Sequence, residues 1–461
     1  MVFSDNIFLF FFLPLVLLCD RLCPRAYRNA VLLLFSLVFY AWGEPVYVLL
    51  MLLVIALNYL AGRLLERFSD ESSSRSRRSV LVLAVALNLA ILGVFKYTGF
   101  FMGLVKSLTR GSFSIPEIAL PIGISFYLFQ SLSYTIDVYR GVVPAQRDLL
   151  RFGTYVSMFP QLIAGPIVRY KDVAAQLEQR EETPAQFASG VLLFVIGLSK
   201  KLLLANPMGA LWESLQTQPG TLSAWAGMFA YTLQIYFDFS GYSDMAIGLG
   251  RLFGFEFLRN FDYPYIARSV TEFWRRWHIS LSTWFREYVY IPLGGNRRGR
   301  GRQLLNLLIV WLLTGLWHGA SWNFVFWGLY YALLLILEKL LDGRFPGRLP
   351  RPLQHLLLLL AVSLGWMLFY FESTPALFAF LARLFTPAPS GVSAVHLLLA
   401  YLPLLCLAIL AATPLPGRLA RRALARPALR WLRVAAPALL MLLCLAALAT
   451  QSYNPFIYFR F

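Results

Sequence analysis

Two histidines and the residues around them carry the chemistry that this sequence offers. The stretch from Phe273 to Trp322 reads FWRRWHISLSTWFREYVYIPLGGNRRGRGRQLLNLLIVWLLTGLWHGASW. It holds two of the chain's four histidines, His278 and His318. Histidine moves protons near neutral pH and is costly in hydrocarbon, so an imidazole in an apolar stretch points to acid–base work. Burial favours its neutral, proton-accepting form. A neutral imidazole could take the proton from a hydroxyl as that hydroxyl attacks an acyl carbon, with nearby donors stabilising the oxyanion. The competing reading for each histidine is a buried side chain that hydrogen-bonds a neighbouring helix. Trp274, Arg275, His278 and Ser282 sit at helical spacings, so His278 could be structural.

The elements that must hold these residues are membrane helices. The chain is 59% hydrophobic and only 14% charged, against about 25% charged in soluble domains. Apolar runs near the ~20-residue bilayer requirement recur from end to end. They are continuous rather than alternating, which argues against a β-barrel. The expected fold is all-α and polytopic, one integral membrane domain over 1–461. It has about 11–13 membrane segments and an aromatic tail at 451–461. The best placement gives twelve spans, near 5–20, 29–43, 46–62, 79–98, 119–139, 186–205, 222–250, 303–317, 321–341, 353–371, 394–413 and 434–450. The apolar run at the N-terminus lacks the flanks of a cleavable signal. Cys19, Cys23, Cys406 and Cys444 make no disulfide or metal pattern.

The net charge of +18 does not mean nucleic acid, because its location gives topology instead. Lys and Arg cluster in loops around 21–28, 63–78, 140–151, 251–302, 339–351 and 418–433. They nearly vanish at 43–45, 206–222 and 372–395. By the positive-inside rule the first set is cytoplasmic. Lys96, Lys106 and Arg110 fall on the wrong side in this scheme. The run 152–166, broken by Pro160, Gly165 and Pro166, reads as a re-entrant element, tolerated where protein satisfies its backbone. A helix over 303–317 would be short, about 22 Å, leaving His318 inside the membrane thickness. Asp238 and Asp244 lie in a membrane helix, as functional groups or as ion-pair partners of Arg251 or Arg275. Ser321 and Asn323 read as packing groups.

Several long motifs in one order resemble the membrane-bound O-acyltransferases, in the bacterial branch typified by the alginate O-acetylation membrane protein. They are MVFSDNIFLFFFLPL at the start, FPQLIAGPIVRY (159–170), DFSGYSDMAIGLGRLFGFEFLRNFDYPY (238–265), FWRRWHISLSTWFREYVYIPLGGNRRG (273–299), TGLWHGASWNFVFWGLYYA (314–332) and the tail NPFIYFRF (454–461). The resemblance implies an O-acetyltransferase of the bacterial inner membrane. Its acetyl donor would be a cytoplasmic thioester, acetyl-CoA foremost, with no permanently bound cofactor and no metal. The acceptor would be an extracytoplasmic polysaccharide such as alginate, cellulose or peptidoglycan, reached through a periplasmic partner acetyltransferase of SGNH type. It implies that His318 is the catalytic histidine and that His278 takes the second active-site position. Arg275 and Arg276, with Trp274 beside them, are the candidates for the donor's phosphates. Topology, lipid headgroups and an acidic carrier protein are the other readings of these arginines, and packing is the other reading of Trp274. The tail is similar to a C-terminal aromatic-tyrosine motif in the small membrane partner of teichoic-acid D-alanylation, which suggests Tyr458 as a covalent relay; an interfacial anchor is the alternative. Outside this resemblance, a secondary transporter or flippase with intramembrane His and Asp fits the composition.

Overall fold

The computed structural model describes residues 1–69, 73–111, 113–163, 165–341, 349–450 and 456. All regular structure among them is helical. The helices are α1 (Leu13–Leu22), α2 (Arg28–Gly43), α3 (Val48–Arg67), α4 (Ser74–Thr109), α5 (Ile124–Tyr139), α6 (Leu149–Ser157), α7 (Phe159–Leu162), α8 (Tyr170–Glu178), α9 (Pro184–Thr217) and α10 (Thr221–Leu252). They continue as α11 (Val270–Arg276), α12 (Ile279–Phe285), α13 (Arg300–His318), α14 (Trp322–Leu340), α15 (Arg351–Tyr370), α16 (Thr374–Phe385), α17 (Val392–Ala411), α18 (Leu415–Leu424) and α19 (Leu432–Thr450). Backbone contacts group the chain into two compact units, residues 1–194 with 245–258, and residues 195–244 with 259–461.

Eight of the described helices are long and apolar enough to cross a membrane. The chain is a multi-pass helical membrane protein. α10 is also long, at 32 residues, but it carries Asp238 and Asp244, and these carboxylates are satisfied by protein. Lys201 Nζ lies 2.6 Å from Asp238 and Lys200 Nζ lies 2.6 Å from Asp244. Both lysines stand on a π-helical turn, Lys200–Ala205, and Lys201 and Asp238 are buried. The partners expected for these aspartates were Arg251 or Arg275. The structure replaces them with lysines, and Arg251 pairs with Glu256.

In the first unit, a buried amide ladder joins α3, α4 and α5. Asn58 Nδ2 donates to Asn88 Oδ1 at 3.0 Å and Thr135 Oγ1 donates to Asn58 Oδ1 at 2.9 Å, a polar link of the kind that holds membrane helices together. The expected span 79–98 is part of one 36-residue helix, α4. At 1.5 Å per residue it runs roughly 54 Å, well past ~30 Å of hydrocarbon. Lys106 lies in the last turn of this helix and Arg110 caps it, and Lys96 Nζ donates to Ser125 Oγ at 3.3 Å. The broken segment near 152–166 is α6 and α7 with Met158 non-helical between them. It is buried, and protein groups meet its backbone: Phe159 N–H donates to Ser36 Oγ at 3.1 Å.

The helix expected over 303–317 is longer than the sequence suggested. α13 begins at Arg300, has 19 residues and ends on His318, where Gly319 turns extended. It spans about 28 Å, so a helix too short for the bilayer is not what sets the depth of His318. The basic residues are absorbed into its start, where Arg300 donates to Lys339 O at 2.9 Å and Arg302 to Leu293 O at 3.2 Å.

The loop charges predict sidedness. After removal of the native cysteines, a cysteine placed at Ser73 or at Gly299 should be shielded from an impermeant thiol reagent in intact spheroplasts, and one near Gln216 should react. Labelling at Gly299 from outside would invert the topology.

Candidate active site

Every group of the candidate site described below lies in the second unit. α11 opens on Ser269, whose hydroxyl accepts the Glu272 N–H at 3.1 Å, a normal N-cap. It stops abruptly. Trp277 is extended and His278 adopts a left-handed conformation, φ 45°, before α12 begins. The helical spacing of Trp274, His278 and Ser282 therefore does not describe one continuous helix. A left-handed non-glycine residue costs on the order of 1–3 kcal/mol and persists only where its surroundings hold it. Here the segment 260–262 does so. Ile279 N–H donates to Asn260 O at 2.9 Å and Asp262 N–H donates to Arg276 O at 2.9 Å.

At the break, His278 lines a cavity of about 430 Å³. Three exposed cations, Arg275, Arg286 and Lys339, line it toward solvent. Buried Trp274 and the apolar faces of α12 and α13 line the rest, as far as Thr314, one turn before His318. Two buried polar atoms of this wall, His278 Nε2 and Trp274 Nε1, have no hydrogen-bond partner among the described residues. The cavity thus combines a basic entrance, an apolar barrel and an imidazole nitrogen.

His318 sits at the C-terminal end of α13, buried, with its ring edge-on to Trp327 at 5.0 Å and to Phe369 at 5.3 Å. The ring of Trp317 connects the two histidines. Its centroid lies 6.0 Å from that of His278 and 4.9 Å from that of His318. The structure therefore brings both histidines onto one indole, although His278 alone of the two lines the cavity.

The other expected residues separate. Arg275 lines the cavity, and no ion pair is seen for it among the described residues. Arg276 does not line it. Its guanidinium is held by Glu272 at 3.0 Å and Asp262 at 3.4 Å. Trp274 serves both of its readings, as cavity wall and as a ring packed 4.6 Å from Trp311. Asn323 donates to Phe369 O at 3.2 Å and accepts from Ser321, a packing role for both. Tyr458 lies outside the described residues. Its neighbour Phe456 is buried against Tyr242, 4.6 Å between centroids, with Lys201 Nζ 5.0 Å from its ring. Sequence reasoning missed Lys339 as a cavity group and Asn260 as the partner of His278. Asn260 had one signal, a buried-type amide inside the RNFDYPY motif.

Among the described residues no cluster of three or more His, Cys, Asp or Glu could hold a metal.

The model of the membrane-bound O-acyltransferase family matches residues 141–379. That range contains both histidines and every cavity residue. The chain belongs to the membrane-bound O-acyltransferase family. Over its whole length, and the whole length of the relative, it is 41% identical to a "Probable alginate O-acetylase" of Pseudomonas putida. It is 32% identical to a peptidoglycan O-acetyltransferase of Helicobacter pylori, covering 80% of this chain and 77% of that one. A teichoic acid D-alanyltransferase of Bacillus subtilis is 28% identical over 46% of this chain and 58% of its own. As a member of this O-acyltransferase family the protein is an enzyme that transfers acyl groups, and the transporter or flippase reading gives way to it.

Proposed function

We propose that this O-acyltransferase takes an acetyl group from acetyl-CoA on the cytoplasmic side of a bacterial inner membrane and delivers it outward for O-acetylation of an extracytoplasmic polysaccharide of the alginate type. The observation that carries the reading is the cavity, whose entrance cations lead along apolar walls to His278. Arg275, Arg286 and Lys339 suit the phosphates of a nucleotide thioester, which cations bind through charge-assisted hydrogen bonds. The apolar section suits its uncharged arm. His318, one helical turn beyond Thr314, is the base for the acceptor hydroxyl, and His278 is its partner on the donor side. The similarity to alginate O-acetylases supports the polyuronate acceptor, and a periplasmic SGNH-type acetyltransferase is the partner that would finish the transfer. The test is acetyl-labelled CoA supplied to inside-out membrane vesicles. Label should become covalent on the protein or the polymer, and Arg275→Ala should raise the KM for acetyl-CoA about tenfold with little change in kcat, as expected for loss of uniform binding. Vesicles that only accumulate free label would overturn the enzyme's proposed donor.

In the same reading Tyr458 relays the acetyl group. Phe456, two residues before Tyr458, is buried in the second unit. Tyr458→Phe deletes one hydroxyl and leaves the ring. It should stop transfer to the outside acceptor while leaving donor binding intact, and mass spectrometry of the wild type should find acetyl on the C-terminal peptide. Full polymer acetylation by Tyr458→Phe would leave the tail as an anchor.

A further inference from the structure

We propose that Asn260 is a positioning residue that locks His278 in the tautomer carrying its proton on Nδ1, so that the bare Nε2 faces the cavity as a proton acceptor. The proposal rests on the reading of His278 as part of the acyl-transfer site.

The geometry fixes the assignment without reference to where hydrogens were placed. Asn260 is fully buried, and its side-chain oxygen is the focus of three neighbours. Ser280 N–H donates to it at 3.1 Å, Ser280 Oγ–H at 2.9 Å, and His278 Nδ1 lies 3.2 Å away. Which end of an amide is oxygen must be decided from its partners. A backbone N–H can only donate, so the atom facing Ser280 N is the oxygen. Flipping the amide would set its NH2 group against the Ser280 N–H, two donors in contact. An amide oxygen can only accept, so Nδ1 must be the protonated nitrogen. In a neutral imidazole the other nitrogen then carries the lone pair. That nitrogen, Nε2, is buried with no hydrogen-bond partner among the described residues, and the residue lines the cavity.

The backbone supports the same purpose. Asn260 O accepts the Ile279 N–H at 2.9 Å, so one residue clamps both the left-handed turn at His278 and the ring it carries. The remaining faces of the ring meet Phe239, 4.8 Å between centroids, and Trp317. The charged groups on the same cavity are Arg275, Arg286 and Lys339. None of these, nor either ring, can replace the acceptor that Nδ1 finds in Asn260; the Ser280 hydroxyl lies 3.5 Å from Nδ1 and gives its proton to the same amide oxygen at 2.9 Å.

The test uses the full-length protein in inside-out vesicles supplied with acetyl-CoA over a pH series. Asn260→Ala releases the ring to either tautomer and should lower kcat at least ~10-fold with KM for acetyl-CoA unchanged; in a catalytic triad the wrong tautomer costs far more. Asn260→Asp keeps the shape and the acceptor but adds a negative charge, which favours the imidazolium. Its activity should recover at high pH, with the acidic limb of the profile moved upward, a change that a merely structural role would not produce. Ser280→Ala removes a donor to the amide oxygen and a hydroxyl 3.5 Å from Nδ1 but leaves the 3.2 Å contact of Nδ1 with Asn260, so the pH profile should stay in place. If His278→Ala retains wild-type activity, the reading of His278 itself fails. If His278→Ala is inactive while Asn260→Ala keeps wild-type kcat, or while Asn260→Asp is active with an unshifted profile, the tautomer lock alone is overturned.

Discussion

Replacing His318 by alanine is expected to abolish acyl transfer while the protein still inserts and purifies in normal yield. Loss of a general base typically costs 10²–10⁴-fold in rate, and the ring of this imidazole packs against Trp317, Trp327 and Phe369. His318→Gln keeps a hydrogen-bonding group of similar reach but no titrating nitrogen, and it should be as inactive as His318→Ala. The measurement is covalent label from acetyl-CoA in vesicles, normalised to protein in the membrane. Near wild-type labelling by either variant would remove His318 from the role of base. Activity in His318→Gln with loss in His318→Ala would assign it to hydrogen bonding.

The second large effect concerns the helix pair that presents His318. α13 and α14 approach through Gly315 and Gly328. A Cβ added at Gly328 would stand 3.3 Å from the Gly315 Cα and closer still to Trp311 O, and one at Gly315 would press on Phe324 O. These are backbone atoms, which cannot rotate aside. Small residues at such crossings let membrane helices pack tightly. Overpacking a core costs about 1–3 kcal/mol where side chains can adjust, and occasionally more. Gly328→Val or Gly315→Val should therefore fall at or beyond the upper end, lowering both thermal stability in detergent and acyl transfer by more than ~10-fold. Gly301, on the same helix α13, is the control, with open space around its Cβ. Gly301→Ala should be neutral or stabilising by up to ~1 kcal/mol, because alanine is the better helix former. If Gly328→Val matched Gly301→Ala in thermal stability, close backbone packing would not be what positions His318.

Two misreadings have separate local causes. Arg275 and Arg276 are adjacent and chemically identical, and nothing in their spacing separates them. The end of α11 does: one guanidinium turns to Glu272 and Asp262, and the other lines the cavity. The lysine partners of Asp238 and Asp244 lie on a π-helical turn, whose register departs from the ordinary helical period. Pattern reasoning that assumes that period looks for partners at the wrong places.

The sequence alone determined the class of this protein, a polytopic helical membrane protein, and its family. The reason is physical. Within a bilayer each backbone polar group must be satisfied inside its own segment, so a spanning helix announces itself as a continuous apolar run whatever its neighbours are. Long motifs in a fixed order carry the family in the same local way, and they brought His318 and His278 forward as candidates. Tertiary structure decided what each candidate touches. The left-handed turn at His278 is held by Asn260, 18 residues earlier in the chain and no part of the same helix. The cavity exists because α11, α12, α13 and α14 converge. The sharing of Trp317 by the two histidines follows from that convergence. Hydrogen-bond partners and cavity walls depend on which distant segments meet, and periodicity within one segment reports only which of its faces is buried.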